Sequence, residues 1–485
     1  MLQSVLRNFS FFGVAHVVDR CVWFFFTIYA ARELGPEAFG QYVLVGTYVA
    51  FFSITFTVGV LPVAVREIVR QRDNPGPMLE QILSLRLLLG MLAYAALILI
   101  SWLMQPTPAF LPLAAIAGSA LVIDAFKDAF TAYHTAFERM AIPSAFTIII
   151  GSVTAIVGCV SLYLDAGLLV LFAASACINL LATFSWHRLF STRFQPYRLR
   201  FSVSAWKHLS IMLAPLMPVQ LAVQLNRLTS VIMLSQVPGP IAADRAVGYF
   251  VPAQQIAHFP LGLLFGLRRA LLPPIAQKLH RGECIDEEFA VVLRLAIVFL
   301  SFPLIIITSL YAREILLVVF GPGYQESELA LKILGVAAAI WITSIFPESF
   351  LFAYPELKFT RFIRAAYVPL LINIGLCLAL IPAYGAPGAA WALLVSRVAH
   401  LAFALYYCRV VLPLGSLGLR QLLKPCTILI ITYAMCLATS SAIERDSLRE
   451  LVILGGVLGG VLMAGHRELG QIRRKLLPRG RRPSG

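Results

Sequence analysis

Long apolar stretches alternate along this chain with short segments that contain charged residues, proline or glycine. A helix needs about 20 residues to cross the hydrocarbon core of a bilayer, and the apolar stretches have about this length. They lack the strict alternation of a transmembrane β-strand, and backbone amides in lipid must be paired within their own segment. The pattern therefore predicts fourteen transmembrane helices, at 9–31, 40–62, 79–104, 110–134, 142–164, 167–189, 207–236, 247–267, 289–311, 327–353, 362–383, 388–410, 424–442 and 449–466.

Basic residues are concentrated in every second loop of this layout. The loops 63–78, 190–207, 268–288 and 354–364 each contain three or four Arg and Lys residues, and the segment from Arg467 onward contains seven. Cytoplasmic loops carry an excess of Lys and Arg because these side chains resist translocation. We therefore predict that both termini are cytoplasmic, which agrees with an even number of spans.

Composition excludes several classes of protein. Hydrophobic residues make up 59% of the chain and charged residues only 13%, whereas soluble domains contain about 45–50% apolar and about 25% charged residues. The net charge is +15, but no basic stripe with interleaved aromatic residues predicts binding to nucleic acid. The outer loops are short, and we find no nucleophile–base set, metal-ligand cluster or phosphate-binding glycine loop. We therefore expect neither an enzyme nor a bound metal or cofactor.

Several features recur at a nearly constant offset and indicate an internal repeat. With offsets of 207 or 208 residues, the recurring features are Arg20 with Arg227, Gly40 with Gly248, and Leu85-Arg86-Leu87 with Leu293-Arg294-Leu295. Six helices in each repeat give both halves the same topology. Parallel repeats of this kind hold their substrate between them, around an axis along the membrane normal. A membrane transporter is the function that this organisation favours.

The predicted architecture is an all-α polytopic membrane protein with two parallel six-helix repeats and two further helices. The N-terminal lobe spans 1–200 and the C-terminal lobe spans 201–412. The two additional helices lie in 413–470, and a basic cytoplasmic tail occupies 471–485.

Three motifs resemble a known family of transporters. They are AARELGPEAFGQY from Ala30 to Tyr42, VFGPGY from Val319 to Tyr324, and YGAPGAAWA from Tyr384 to Ala392. The sequence is similar to the polysaccharide transporter branch of the multidrug/oligosaccharidyl-lipid/polysaccharide exporter superfamily, the Wzx-like flippases. With the hydropathy layout, the resemblance covers essentially the whole chain.

The resemblance implies two six-helix lobes around a central cavity that is lined by helices 1 and 7. It also implies a cargo, an isoprenoid-diphosphate-linked oligosaccharide that moves from the cytoplasmic to the outer leaflet of the bacterial inner membrane. The bilayer and this lipid-linked glycan would be the partners, with a polysaccharide polymerase and export machinery as further candidates.

Two arginines within spans are the main candidates for binding this anionic cargo. A charge at the bilayer centre costs at least about 2.5 kcal/mol, so it normally faces a partner or a wet cavity. Arg20 follows His16 by one turn of helix 1, and Arg227 follows Gln220 and Gln224 on one face of helix 7. A guanidinium suits a diphosphate well. The alternative is that Arg20 pairs with an acid of helix 4 for structural reasons only.

Four more arginines could contribute to the cationic path. Arg397 in helix 12 could extend the lining of the second lobe, or its side chain could reach toward the cytoplasmic surface. Arg66, Arg268 and Arg269 end helices 2 and 8 and could capture the headgroup first. Ordinary positive-inside topology would also account for these three residues.

Acids within spans are candidates for coupling transport to an ion gradient. Asp124 and Asp128 flank Lys127 in helix 4, where spacings of one turn allow an ion pair along the helix. An acid that is left over could titrate or bind a cation. Asp19 and Glu348 are weaker candidates of the same kind.

Other functions remain open from the sequence alone. A cation-coupled multidrug exporter would share the fold, but its cavity should be dominated by acids rather than arginines. A murein lipid-precursor flippase of the same superfamily would have similar requirements to the proposed glycan flippase. A glycan polymerase or ligase would need catalytic residues on a larger outer loop.

Overall fold

Helices make up most of the backbone that the structure describes. The computed structural model describes residues 2–57, 59–104, 109–194, 197–213, 217–237, 239–281, 286–353 and 359–411, with short pieces at 427–428, 431–435, 456–457, 459–461 and 464. No β-strand occurs within these ranges. The chain is an all-α polytopic membrane protein, as its hydropathy pattern predicts.

The described residues form fifteen α-helices, a π-helical turn at Ile297–Ser301 and a 3-10 helix at Pro322–Ser327. The α-helices are α1 (Leu2–Thr57), α2 (Val60–Arg70), α3 (Gly76–Met104), α4 (Phe110–Gly118), α5 (Ala120–Ala136), α6 (Ala141–Tyr163), α7 (Gly167–Arg193), α8 (Val203–Leu213), α9 (Met217–Leu234), α10 (Pro240–His280), α11 (Asp286–Ala296), α12 (Phe302–Leu310), α13 (Ala312–Val319), α14 (Glu328–Ala353) and α15 (Phe359–Val411).

Two of these helices each contain two predicted spans that are separated at a glycine. In α1 the backbone breaks at Gly35, where φ is +70°, and in α15 it breaks at Gly385, where φ is +57°. A positive φ is accessible to glycine at little energetic cost because it has no Cβ atom. The predicted spans 362–383 and 388–410 therefore fall on the two arms of α15; 9–31 falls on the first arm of α1, and 40–62 runs along its second arm into the start of α2.

Eight helical segments among the described residues are long and apolar enough to cross a membrane. Some of them, such as Val17–Arg70 and Ala366–Val410, contain a kink and two predicted spans. The predicted spans 424–442 and 449–466 lie largely outside the described residues. The eight apolar segments by themselves make this a multi-pass membrane protein.

By internal packing, the chain divides into two compact units. The first consists of Met1–Pro252, Leu317–Ser327 and Leu370–Ala392; the second consists of Ala253–Leu316, Glu328–Pro369 and Leu393–Gly485. These units follow packing rather than the sequence repeat. The division into lobes at 200 and 201 stays a prediction.

An aromatic cluster forms the core of the first unit. The rings of Phe130 and Phe190 stack with centroids 4.4 Å apart, and Tyr133 meets Phe190 edge-to-face at 4.9 Å. Lipid tails are as apolar as these rings, so close packing rather than removal from water holds such helices together. The cluster joins α5 to α7.

The connection between α7 and α8 is fastened to α3. The Glu80 carboxylate accepts a hydrogen bond from the Arg198 backbone N–H at 2.8 Å and forms an ion pair with Arg200 at 3.2 Å. The Trp206 indole N–H donates to the Ser84 hydroxyl at 3.0 Å. We call residues 197–206 the docked segment.

Candidate functional site

Two arginines of the first unit lie within electrostatic range of each other. Arg20 lies on α1 and Arg227 on α9, and both side chains are exposed. They are close enough for each positive charge to act on the other. Like charges repel, so this arrangement favours an anion that binds near both groups.

The orientation of Arg227 is fixed by the residue before it. Asn226 is only 4% exposed. The Asn373 side-chain amide donates to the Asn226 carbonyl oxygen at 3.2 Å and to its side-chain oxygen at 2.9 Å. Successive residues on an α-helix are separated by about 100°. Holding Asn226 against α15 therefore turns Arg227 away from this packed face.

The first repeat shows the same arrangement around Arg20. Asp19 is partly buried, and its Oδ1 atom lies 2.8 Å from the position that a Cβ on Gly151 would occupy. Gly151 belongs to α6, so Asp19 packs onto a neighbouring helix while Arg20, one residue later, is exposed. In both repeats the polar residue before the arginine thus packs against another helix, and the arginine itself is exposed.

Neither arginine forms an ion pair with an acid among the residues that the structure describes. The two acids of the fourth predicted span, Asp124 and Asp128, lie on α5 and have other partners. Lys127 Nζ lies 2.6 Å from Asp124 Oδ1, as the one-turn spacing predicts, and Asp128 forms an ion pair with Arg86. The structural alternative, in which a helix 4 acid neutralises Arg20, is therefore absent from this arrangement.

A cavity of about 500 Å³ lies within the first unit, next to these ion pairs. Its polar wall includes three acids and one lysine, and Lys127 also donates to Asn179 Oδ1 at 2.9 Å. Four aromatic rings also line it, those of Trp23, Tyr42, Phe172 and Trp186. Its lining includes Asp19, Trp23, Tyr42, Asp124, Lys127, Asp128, Asn179 and Trp186. Three carboxylates thus line this space together with Lys127.

In the sequence Arg86 serves only as a marker of the internal repeat, and the structure adds it as a functional candidate. It is 3% exposed, and its partner Asp128 is 46% exposed. Its Nε and Nη1 atoms have no hydrogen-bond partner within the described part of the chain. A charge in the middle of the span 79–104 could have drawn attention to it, but its partner lies 42 residues away in the sequence.

A second polar cluster lies within the second unit. Arg397 is 3% exposed, and its guanidinium lies 3.9 Å from the ring centroid of Trp341. The His258 ring meets Trp341 edge-to-face at 5.3 Å. Glu348 forms a hydrogen-bonded pair with His400. Arg397 is thus held by an aromatic ring, and Glu348 is already engaged by a histidine.

The structure gives fewer contacts for the remaining predicted site residues. Arg66 is exposed and forms an ion pair with Glu67 at 3.1 Å, and Gln224 is partly buried on α9. The backbones of four others lie in helices, but their side chains fall outside the description: His16, Gln220, Arg268 and Arg269.

Comparison with known proteins decides the family. The family profile described as "Polysaccharide biosynthesis protein" matches residues 5–279, more than half of the chain. The chain belongs to this family. The resemblance inferred from the three motifs is thereby confirmed at the level of the family. No curated protein matches this member of the polysaccharide biosynthesis family by sequence.

Solved structures of a lipid flippase and of multidrug transporters share the fold of this family member. A lipid II flippase, MurJ, in an inward closed conformation has a TM-score of 0.69 and 14% identity, with 96% of this chain and 99% of that chain covered. An inward-facing multidrug resistance MATE family transporter has a TM-score of 0.58 and 14% identity, covering 81% and 93%. A Vibrio cholerae MATE transporter has a TM-score of 0.53 and 14% identity, covering 84% and 97%.

Proposed function

We propose that this protein is a flippase that moves an isoprenoid-diphosphate-linked oligosaccharide from the cytoplasmic to the outer leaflet of the bacterial inner membrane. Transport would proceed by alternating access through a cationic central cavity, for the export of O-antigen, capsule or exopolysaccharide. Both termini would lie in the cytoplasm. A polysaccharide polymerase and export machinery would receive the product on the outer side.

The observation that carries this proposal is the pair of exposed arginines, Arg20 and Arg227. Two guanidinium groups whose positive charges act on each other raise the free energy of the unliganded protein. A diphosphate carries about two negative charges and can accept bidentate hydrogen bonds from each guanidinium. Binding such a headgroup would relieve the repulsion, whereas binding a cation would increase it.

Other residues would act along the path of the headgroup. Arg66, Arg268 and Arg269 would attract it at the cytoplasmic mouth, because exposed charges steer anions. His16, Gln220 and Gln224 would offer further hydrogen bonds near the two arginines. Arg397 would contribute from the second lobe, although its burial against Trp341 limits it to an indirect, electrostatic role in this conformation.

The test is charge removal at the two arginines in a host that lacks its own copy of the gene. Arg20→Ala and Arg227→Ala should each abolish surface glycan and cause lipid-linked glycan to accumulate in the inner leaflet. Lysine replacements should retain part of the activity, since they keep the charge but lose the bidentate geometry. Arg188→Ala is the matched control, because Arg188 is also an exposed arginine of a span-forming helix, α7.

Protein levels must be equal in all strains, as measured by immunoblot of the membranes. If both alanine variants export glycan at the level of the wild type, the arginines have no part in transport. The anionic cargo would then lose its main support, and only a membrane transporter would remain.

We further propose that acids of the first-unit cavity couple transport to a cation gradient. Asp19, Asp124 and Asp128 line the cavity, and Glu348 is a weaker candidate because His400 already holds it. In proteoliposomes with an imposed pH or Na⁺ gradient, Asp19→Asn and Asp128→Asn should abolish the dependence of flipping on that gradient. Asp165→Asn, at an exposed loop position, should retain it. Unchanged gradient dependence in both cavity variants would exclude this role.

Murein precursor is a second candidate cargo, favoured by the almost complete overlap with the lipid II flippase. It is also a polyisoprenoid diphosphate, so the two arginines would serve it equally well. Rescue of growth in cells depleted of their lipid II flippase would favour this cargo, and rescue of surface polysaccharide alone would favour the first. Resistance to organic cations without either rescue would instead indicate a multidrug exporter.

A further inference from the structure

Two glycines that are equivalent in the sequence repeat make a reciprocal helix crossing. A Cβ atom on Gly40 would overlap the carbonyl oxygen of Asp244, and one on Gly248 would overlap the carbonyl oxygen of Pro36. Pro36 and Asp244 are themselves equivalent in the repeat, each four residues before its glycine. Small residues allow helix backbones to approach this closely. The second arm of α1 and the start of α10 therefore touch backbone to backbone.

Polar contacts from a third segment surround the crossing. The Tyr324 hydroxyl donates to the Ala31 carbonyl at 2.6 Å, and Arg32 Nε donates to the Val319 carbonyl at 2.8 Å. Across the crossing itself, Arg245 lies 3.7 Å from the Glu37 carboxylate. The first two sequence motifs, at 30–42 and 319–324, thus meet at this point. We call the assembly of residues 31–40, 244–248 and 319–324 the crossing latch.

A buried acid lies inside the crossing latch. Asp244 is 6% exposed, and its Oδ1 atom has no hydrogen-bond partner within the described residues. Burial, together with the negative charge of Glu37, raises the pKa of Asp244 to about 6. Other charged groups face this corner: Arg32 and Glu37 on α1, Arg245 on α10, and Glu326 beside Tyr249. Arg245 is exposed and forms its ion pair with Glu37 rather than with Asp244.

We propose that the crossing latch is the outer gate of the transporter and that Asp244 is a proton-binding site which holds the gate closed when protonated. The loops that form the latch are the arginine-poor ones, which places them on the outer side in the predicted orientation. The inference rests on the proposed function only in requiring alternating access. It makes no use of the identity of the cargo.

The sign follows from the two environments of Asp244. In an open gate the carboxyl would be hydrated, with a pKa near the ordinary value of about 3.9. Because the closed form has the higher pKa, its stabilisation is complete below the open-state pKa and is lost as the pH rises through about 6. From pH 8 to pH 5, the ratio of closed to open molecules should rise about tenfold.

Double electron–electron resonance measures the distance between two spin labels and therefore reports whether the gate is closed or open. The labels are attached to unnatural ketone amino acids at positions 33 and 241, which are both exposed, in full-length protein in lipid nanodiscs without cargo. The short-distance population should increase about tenfold relative to the long one as the pH falls from 8 to 5. Asp244→Asn, which is always neutral, should remain mostly closed and show no such pH dependence.

Gly40→Ala should shift the population toward the open form at every pH, because its Cβ would meet the Asp244 backbone. Gly46→Ala, on the same helix, is the control, because a Cβ atom on Gly46 would meet no atom within 4 Å. A distance distribution that does not change with pH in the wild type, or a pH response that persists in Asp244→Asn, would overturn the proposal. Loss of transport in the arginine variants with a normal pH response would leave the gate intact, so the two proposals can fail separately.

Discussion

Neutralising Asp128 should destabilise the protein more than removing the cation to which it is bound. Arg86 is almost completely buried, and two of its three nitrogens have no partner in the described residues. Removing one partner of a buried ion pair costs about 3–5 kcal/mol, because the other charge stays buried and uncompensated. Asp128 is nearly half exposed to the cavity, so we expect the lower end, about 3 kcal/mol, for Asp128→Asn.

The opposite replacement, Arg86→Met, leaves a hydrated carboxylate and a well-packed apolar side chain. Replacing a buried charge in this way is often neutral, so we expect a loss of no more than about 1 kcal/mol. The double variant should recover most of the stability that Asp128→Asn loses. The coupling energy in this double-mutant cycle should therefore be about 2–3 kcal/mol, at the upper end of values for contacting pairs.

Thermal unfolding of the purified protein in detergent gives the required ranking, with tryptophan fluorescence as the signal. The apparent Tm should fall most for Asp128→Asn and least for Arg86→Met, with Asp165→Asn as a surface control. Additive losses in the double variant, or a larger loss for Arg86→Met than for Asp128→Asn, would refute the reasoning. The pair would then owe its stability to something other than the burial of a guanidinium.

Two further predictions concern how the candidate site is positioned. Asn373→Ala removes both hydrogen bonds to Asn226 and should cost about 1–3 kcal/mol; it should also lower glycan export, because Arg227 loses its fixed direction. Export equal to that of the wild type, at equal protein level, would show that Arg227 is positioned by other contacts. Glu80→Gln weakens the hold on the docked segment, so trypsin should cleave after Arg198 several times faster, whereas cleavage at Arg139 should not change; equal rates at Arg198 would contradict this role of Glu80.

Much of the helical layout could be predicted because lipid imposes it. The predicted spans 79–104 and 142–164 differ from α3 and α6 by at most three residues at either end. The ends of other helices were less accessible, since apolar patterns stop at the membrane surface whereas backbone hydrogen bonding continues into water. α10 illustrates this difference: it extends to His280, although its predicted span ends at residue 267.

The candidate site was only partly predictable. The pair Lys127–Asp124 follows from one-turn spacing on a single helix, which the sequence encodes directly. The partnership of Arg86 with Asp128 does not, because it depends on how α3 packs against α5. The same holds for the crossing of Gly40 and Gly248, where the repeat shows that the two glycines are equivalent but not that they touch the partner backbone.

The docked segment has a mechanical consequence. It is the covalent connection between the two predicted lobes, yet Glu80 and Ser84 bind it at both ends to the first lobe. A linker anchored in this way has no slack of its own. Any rocking of one lobe against the other must therefore be taken up by parts of the chain outside this segment.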